Sequence, residues 1–286
     1  MIKNIRAGLR MLAGVAAVPV FIALTALQGF VVGPLTGNTT AIPNLLYKTL
    51  GGLLGYKIVF NKASAPIVKD KPVWFVANHL SIADFIVLGS KLDGTFAGKG
   101  DVLKWPFIAQ MAHAVKYIGL RRSREFNPQS RAKIVKNFNQ GMNTIMFPEG
   151  TTSDGREVHL FRAALPSLLY GEPAVDDKGN AVSLNREVAV QPVAIRVLKV
   201  GGKDAVNDDT LRNLYSMPTE NNTLRRLWKR MQIRQTVLEL TVFPAMAPSD
   251  YKDAMELMNE TALKIATVVN PGQTTFAKAE IPGQKK

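Results

Sequence analysis

The sequence predicts an α/β protein: a central mixed sheet flanked by helices, preceded by an N-terminal membrane-embedded helical anchor. Three observations carry this. Short apolar, β-branched runs recur at 57–61, 73–77, 95–98, 117–121, 144–148, 188–197 and 237–243, with helical patterns between many of them, the rhythm of strands layered against helices. Residues 11–37 hold no charged side chain over 27 positions, and Lys3, Arg6 and Arg10 precede them. The composition, 47% hydrophobic and 20% charged, suits a chain that buries a core.

A straight helix over 11–37 would reach roughly 40 Å, enough to cross a bilayer core, and it is too long for a cleaved signal. Pro19 and Pro34, with Gly14, Gly29 and Gly33, should kink or end it. A second amphipathic stretch, 43–54, sets Leu45, Leu46, Leu50, Leu53 and Leu54 as its apolar residues. A single span would put everything past residue 40 on the far side of the membrane. A broken helix pair within one leaflet would keep the whole chain on one face. Residues 1–55 are thus expected as the anchor, 56–270 as the α/β domain and 271–286 as a disordered tail.

Within the domain, helical patterns fall at 82–92 and 105–115. A third begins with Asn127 as N-cap and Pro128 at the first helical position, and runs to Gly141. The last is expected to open at Ser249, with Asp250 in its first turn, and to run to about Val269. The stretch 204–235 interrupts the alternation.

The charge balance, 36 basic against 22 acidic residues, gives +14 and points to an anionic partner. No nucleic-acid recognition motif accompanies it, so an anionic lipid surface is the better fit. Arg225, Arg226, Lys229, Arg230 and Arg234 lie in a run without acidic residues, and Leu224, Leu227, Trp228 and Met231 give that run an apolar stripe. It reads equally as a face for anionic headgroups or as a core-packed helix with a solvated side. With no cysteine, disulfides, thiolate nucleophiles and cysteine metal sites are excluded. His113 and His159 lack ligand-like neighbours, so neither metal nor cofactor is expected.

Three segments could carry chemistry. The first is NHLSIAD, Asn78 to Asp84, directly after the apolar strand VWFVA, where open α/β sheets place reactive groups. From the first turn of a following helix, Asp84 can fold back toward His79, holding its imidazole in one tautomer and stabilising the cation formed when it takes a proton. A serine N-cap with a capping histidine would look the same. The second is FPEGTTSDG, Phe147 to Gly155, a turn whose backbone N–H groups and hydroxyls suit an anion or a polyol, though Ser-Asp-Gly is also ordinary turn chemistry. The third is YIGLRR, where alternation puts Arg122 on the face of Ile118 and Leu120, able to clamp a phosphate or to sit solvated.

Together these blocks resemble the glycerolipid acyltransferase family, typified by 1-acylglycerol-3-phosphate O-acyltransferase. The resemblance spans roughly residues 55–200: the HxxxxD block at 78–84, a Lys-to-Arg block at 99–122, FPEGT at 147–151 and VQPVAI at 190–195. It implies that His79 and Asp84 are catalytic and that Arg122, Glu149 and Gly150, with Thr151 and Lys99 of the same blocks, bind the acyl acceptor. It further implies transfer of a fatty acyl group from acyl-CoA or acyl carrier protein to a lysolipid hydroxyl, most simply that of 1-acylglycerol-3-phosphate, among membrane lipids on the cytoplasmic face (the inner membrane, in a bacterium). Lys116, Ala109 and Thr152 depart from the pattern. EGTTSDGR and FRAAL look more like the branch that acylates lyso-ornithine lipid. A non-catalytic lipid-binding protein and a hydrolase are the rival classes. For the oxyanion, backbone N–H groups near Ser81 and Ile82 are candidate donors; with no GxSxG, an acyl-enzyme through Ser81 is not expected.

Overall fold

The computed structural model describes residues 1–37, 40–100, 112, 117–120, 128–172, 174–216 and 222–278. Helix α1 (Ile2–Leu27) runs through Pro19 unbroken, widens into one π turn at Gln28–Val32 and ends in the short α2 (Gly33–Thr36). The wide turn falls where Pro34 has no N–H to give the preceding turn. Helix α3 (Ala41–Leu54) returns antiparallel: Leu53 fills the space beside Gly14, and the Ile42 amide donates to Gln28 Oε1 at 3.1 Å. Ile2–Thr36 is long and apolar enough to cross a membrane, and Ile5, Leu9, Leu12 and Val15 form an exposed apolar stripe along it. At the base of the hairpin stands Gly55, with φ 76°, where a Cβ would strike Arg10 and the Arg234 carbonyl.

The chain then alternates: β1 (Tyr56–Phe60), β2 (Val73–Ala77), α4 (Asp84–Gly89), β3 (Thr95–Lys99), β4 (Ile118–Leu120), α5 (Pro128–Asn139) and β5 (Thr144–Met146). A small ribbon of β6 (Ala174–Val175) and β7 (Ala181–Val182) precedes the long β8 (Ala189–Val200) and β9 (Lys203–Asp204). Helices α6 (Asp209–Ser216) and α7 (Thr223–Gln232), strand β10 (Thr236–Val242) and helix α8 (Ala254–Val269) complete it. The main sheet runs β1-β10-β8-β2-β5-β3-β4, with β9 beside β8. β8 is antiparallel to β10 and β9, and the other neighbours are parallel. This is a mixed α/β sheet as expected, and every strand read from the sequence is present. The two-residue strands β6, β7 and β9 are too short for alternation to reveal.

Strand β2 is buried on both faces. Trp74 and Val76 join Phe138 of α5 with Leu257 and Ile265 of α8 on one side, while Val73 and Phe75 meet Val87 and Leu88 of α4 and Leu238 and Leu240 of β10 on the other. That continuous burial fixes where the β2 loop emerges.

Several expectations need correction. The last helix opens at Ala254, capped by Asp253, which accepts from the Met255 and Glu256 amides at 2.8 and 2.9 Å. Pro248–Asp250 is a separate 3-10 turn, since the better cap lies four residues beyond Ser249. The 82–92 helix is confined to Asp84–Gly89. Residues 271–278, expected to be disordered, are docked: Gln273 exchanges hydrogen bonds with the Val158 backbone at 2.8 and 3.0 Å, and the Leu160 amide donates to the Ala277 carbonyl at 2.9 Å. The expected helix 105–115 lies outside the described residues, apart from Ala112.

The basic run 224–234 is α7, and its charges divide. Leu227 is half-buried beside Met231 and Ala7, while Leu224 and Trp228 face outward. Arg230 turns inward and is buried. The carbonyls closing α7 are capped from α1: Arg10 donates to the carbonyls of Met231, Ile233 and Arg234 at 3.0, 2.6 and 3.0 Å, and Arg6 to that of Gln232 at 2.7 Å. Cations at a helix C-terminus oppose its dipole as well as satisfying its orphan acceptors. Replacing Arg10 by alanine is therefore expected to cost about 1–2 kcal/mol of stability, read by denaturant melts in detergent, whereas Lys3→Ala should leave the midpoint unchanged.

Candidate active site

The β2–α4 loop makes a tight turn that ends on Asp84, the first residue of α4. Asp84 is fully buried, and four donors meet its carboxylate. Oδ2 lies 2.8 Å from His79 Nδ1 and accepts from the Leu80 and Ser81 amides at 2.7 and 2.8 Å; Oδ1 accepts from the Tyr215 hydroxyl at 2.6 Å. A carboxylate facing Nδ1 makes that nitrogen the N–H, which leaves Nε2 with its lone pair free. The ring is held as well as paired: it stacks on Phe147 with centroids 4.0 Å apart and meets the edge of Phe85 at 6.0 Å.

The His79 backbone is clasped by the loop after β5. Because β2 and β5 are parallel neighbours, their following loops leave the same edge of the sheet. Glu149 Oε1 accepts from the His79 amide at 3.1 Å, and the Ser153 amide donates to the His79 carbonyl at 2.7 Å. Glu149 is 1% exposed, and its Oε2 has no hydrogen-bond partner among the described residues. Burial, reinforced by the nearby Asp84 and Glu157 charges, raises its pKa well above the usual carboxylate value, and the His79 amide only partly opposes this. Gly150 has φ 75°, and the Arg162 guanidinium stands 3.0 Å from where a Cβ would be. Glu149, Leu160, Arg162 and the tail residue Lys278 line a cavity of about 300 Å³. Below the dyad, Asn78 Nδ2 donates to the Ile195 carbonyl at 3.0 Å and Asn78 Oδ1 accepts from the Ile195 amide at 2.8 Å, tying the HxxxxD and VQPVAI blocks together.

The structure thus brings His79, Asp84, Glu149 and Gly150 together, with Thr151 half-buried in the same loop. Lys99 is the last residue of β3, one strand beyond β5 at the same edge. Arg122 and His113 lie outside the described residues. The Ser81 amide, considered as an oxyanion donor, is instead bonded to Asp84. The Ser81 hydroxyl is buried and receives a hydrogen bond from Arg230, which is no setting for a nucleophile. Sequence reasoning missed Tyr215, Arg162 and Lys278, and it read Arg230 as a surface charge. Only Arg230 carried a signal: three residues beyond Leu227, it falls on the inward face of α7.

Fold and site together define an α/β domain with a histidine–carboxylate pair at the carboxyl edge of its parallel strands. Residues 59–196 match the family model described as Acyltransferase, and over that stretch the resemblance read from the four blocks is borne out. Lyso-ornithine lipid O-acyltransferase of Brucella abortus is 30% identical over 162 residues, covering 56% of this chain and 57% of that protein. The 1-acyl-sn-glycerol-3-phosphate acyltransferase of Neisseria meningitidis serogroup B is 30% identical over 160 residues, 48% of this chain and 62% of the relative. The match therefore spans less than two thirds of these relatives' length. The crystal structure of the 1-acyl-sn-glycerophosphate (LPA) acyltransferase PlsC from Thermotoga maritima shares the fold, with a TM-score of 0.63 at 18% identity, over 96% of this chain and all of that one.

The raised proton affinity of Glu149 has a consequence for stability. A carboxyl that holds its proton more tightly when folded favours the native state fully below its unfolded value of 4.5, and that contribution is lost as pH rises toward the folded value. Glu149→Gln keeps an acceptor for the His79 amide but does not titrate there. Its melting temperature should approach that of the wild type near pH 4 and exceed it increasingly as pH is raised from there toward 8. Thermal melts across that range check it.

Proposed function

We propose that this chain is an O-acyltransferase that moves a fatty acyl group from a thioester donor to the hydroxyl of a lysolipid, with His79 as general base and Asp84 as its orienting partner. The observation that carries this reading is the dyad itself: an imidazole whose Nδ1 faces a fully buried carboxylate at 2.8 Å and whose Nε2 is left to accept a proton. A neutral alcohol is a poor nucleophile until it loses its proton. His79 Nε2 takes the acceptor's hydroxyl proton as the oxygen attacks the thioester carbonyl. The tetrahedral adduct then collapses, the C–S bond breaks, and the imidazolium returns the proton to the departing sulfur. Asp84 holds the ring and balances its transient charge, the part a carboxylate plays in a hydrolase triad, while the substrate supplies the hydroxyl that a serine would.

The acceptor approaches from the FPEG side. Glu149 braces the His79 amide with one oxygen, and beside it Arg162 and Lys278 give the cavity cations that suit an anionic headgroup. Arg122, Thr151 and Lys99 are assigned to the same acceptor by the family pattern. A 1-acylglycerol-3-phosphate is the first acceptor proposed. A lyso-ornithine lipid is the second, favoured by Thr152 in place of the arginine that follows FPEGT in the family and by the Brucella relative. Donors are acyl-CoA or acyl carrier protein. The α1–α3 hairpin, with its exposed apolar stripe, lies in one leaflet on the cytoplasmic side, where those donors are found.

Incubating the protein with labelled thioester and a panel of lysolipids tests this. New diacyl lipid identifies the transferase and its acceptor; released free fatty acid means a hydrolase, and neither product means a binding protein. His79→Ala and Asp84→Ala should each lower kcat by about 100- to 10,000-fold while the protein stays folded and membrane-associated. Near-normal turnover by His79→Ala would end the mechanism.

A further inference from the structure

The dyad does not stand alone. Asp84 Oδ2 is saturated by two loop amides and the imidazole, but Oδ1 receives only the Tyr215 hydroxyl among the described residues, at 2.6 Å. Tyr215 comes from α6, 131 residues away in sequence, and is 1% exposed. Burial, with the Asp84 charge next, pushes the phenol's pKa well above 10.0, so the hydroxyl remains a donor at any working pH. The tyrosine is fixed in turn. Arg230 of α7, itself 6% exposed, donates to the Tyr215 carbonyl at 2.8 Å and to the Ser81 hydroxyl, and its guanidinium carbon lies 5.8 Å from the Tyr215 ring centroid.

From this geometry we infer that Tyr215 is a positioning residue: its hydroxyl fixes the carboxylate plane of Asp84 and so aims Nε2 of His79. The inference rests on the acyltransferase reading only for its kinetic consequence. A carboxylate anchored at one oxygen alone can still rotate about its Cβ–Cγ bond within the limits that three donors on Oδ2 set. Anchored at both, it has a single orientation, and the His79 Nδ1–H must align with it. Without the phenol, a buried oxygen would also be left lacking a donor, and the least costly relief is rotation toward the His79 N–H, which tilts the ring away from the acceptor. Binding of donor and acceptor, which Tyr215 does not touch, should be unaffected.

The test is Tyr215→Phe, with Tyr56→Phe as the matched control. Tyr56 is a half-buried tyrosine in edge contact with the Tyr215 ring, and its hydroxyl is itself buried with no hydrogen-bond partner among the described residues. Kinetics are read together with the Nδ1–H proton resonance of His79 in ¹⁵N-histidine-labelled protein in micelles, where the chain has only three histidines. Tyr215→Phe should lower kcat about 10- to 100-fold at unchanged KM for both substrates and move the His79 resonance, with the thermal midpoint showing a folded protein. Tyr56→Phe should match the wild type in both. Retention of kcat within about twofold, an unmoved resonance, or equal effects from the two variants would overturn the inference. Should the wild type transfer no acyl group, the acyltransferase reading falls, and the resonance alone still decides whether Tyr215 orients the pair.

Discussion

The constraint on which the rest depends is the satisfaction of one buried carboxylate. Asp84 has no exposure to solvent, and a carboxylate taken out of water is costly unless each oxygen finds donors. Four groups supply them, drawn from a loop, an imidazole and a distant helix. Asp84 also stands in the first turn of α4, where a helix favours negative charge. The β2–α4 turn, the inward side of α6 and the buried arginine of α7 can each be understood as structure built around this one group.

Sheet order does the remaining work. β2 sits between β5 and β8 with all its residues buried, so neither its height nor its register can drift without dislodging both core layers. The loops after β2 and β5 then meet at one edge, and residues 70 positions apart, His79 and Glu149, share a hydrogen bond. On the opposite flank, the Asn78 amide is locked to Ile195 in both directions. The separate sequence blocks are thus contacts of a single turn with its two neighbouring strands.

What was legible in the sequence follows from this locality. Strands that alternate or are wholly apolar announce themselves, and the five-residue step from His79 to Asp84 is closed by one turn. Contacts made across long separations were not legible. Tyr215 reaches Asp84 only because α6 packs over β8, and no local pattern encodes that. Arg230 hides among surface arginines of identical type, and only its phase relative to Leu227 sets it apart. The docked tail, with its Pro, Gly and Gln, has the composition of a flexible end, yet Gln273 finds a complete backbone partner at Val158. The helix start at Ala254 was misplaced because Ser249 and Asp253 both make acceptable caps, and the tertiary fold selected the second.

The two arginines at the start of α1 give the hairpin a second purpose. They are spent on the carbonyls that end α7, and α7 carries Arg230, which grips both Tyr215 and Ser81. Trimming the long apolar helix would accordingly do more than remove exposed apolar surface. The cut would uncap a helix that three successive hydrogen bonds, Arg230 to Tyr215, Tyr215 to Asp84 and Asp84 to His79, join to the imidazole, so the apolar hairpin is also a strut of the candidate site.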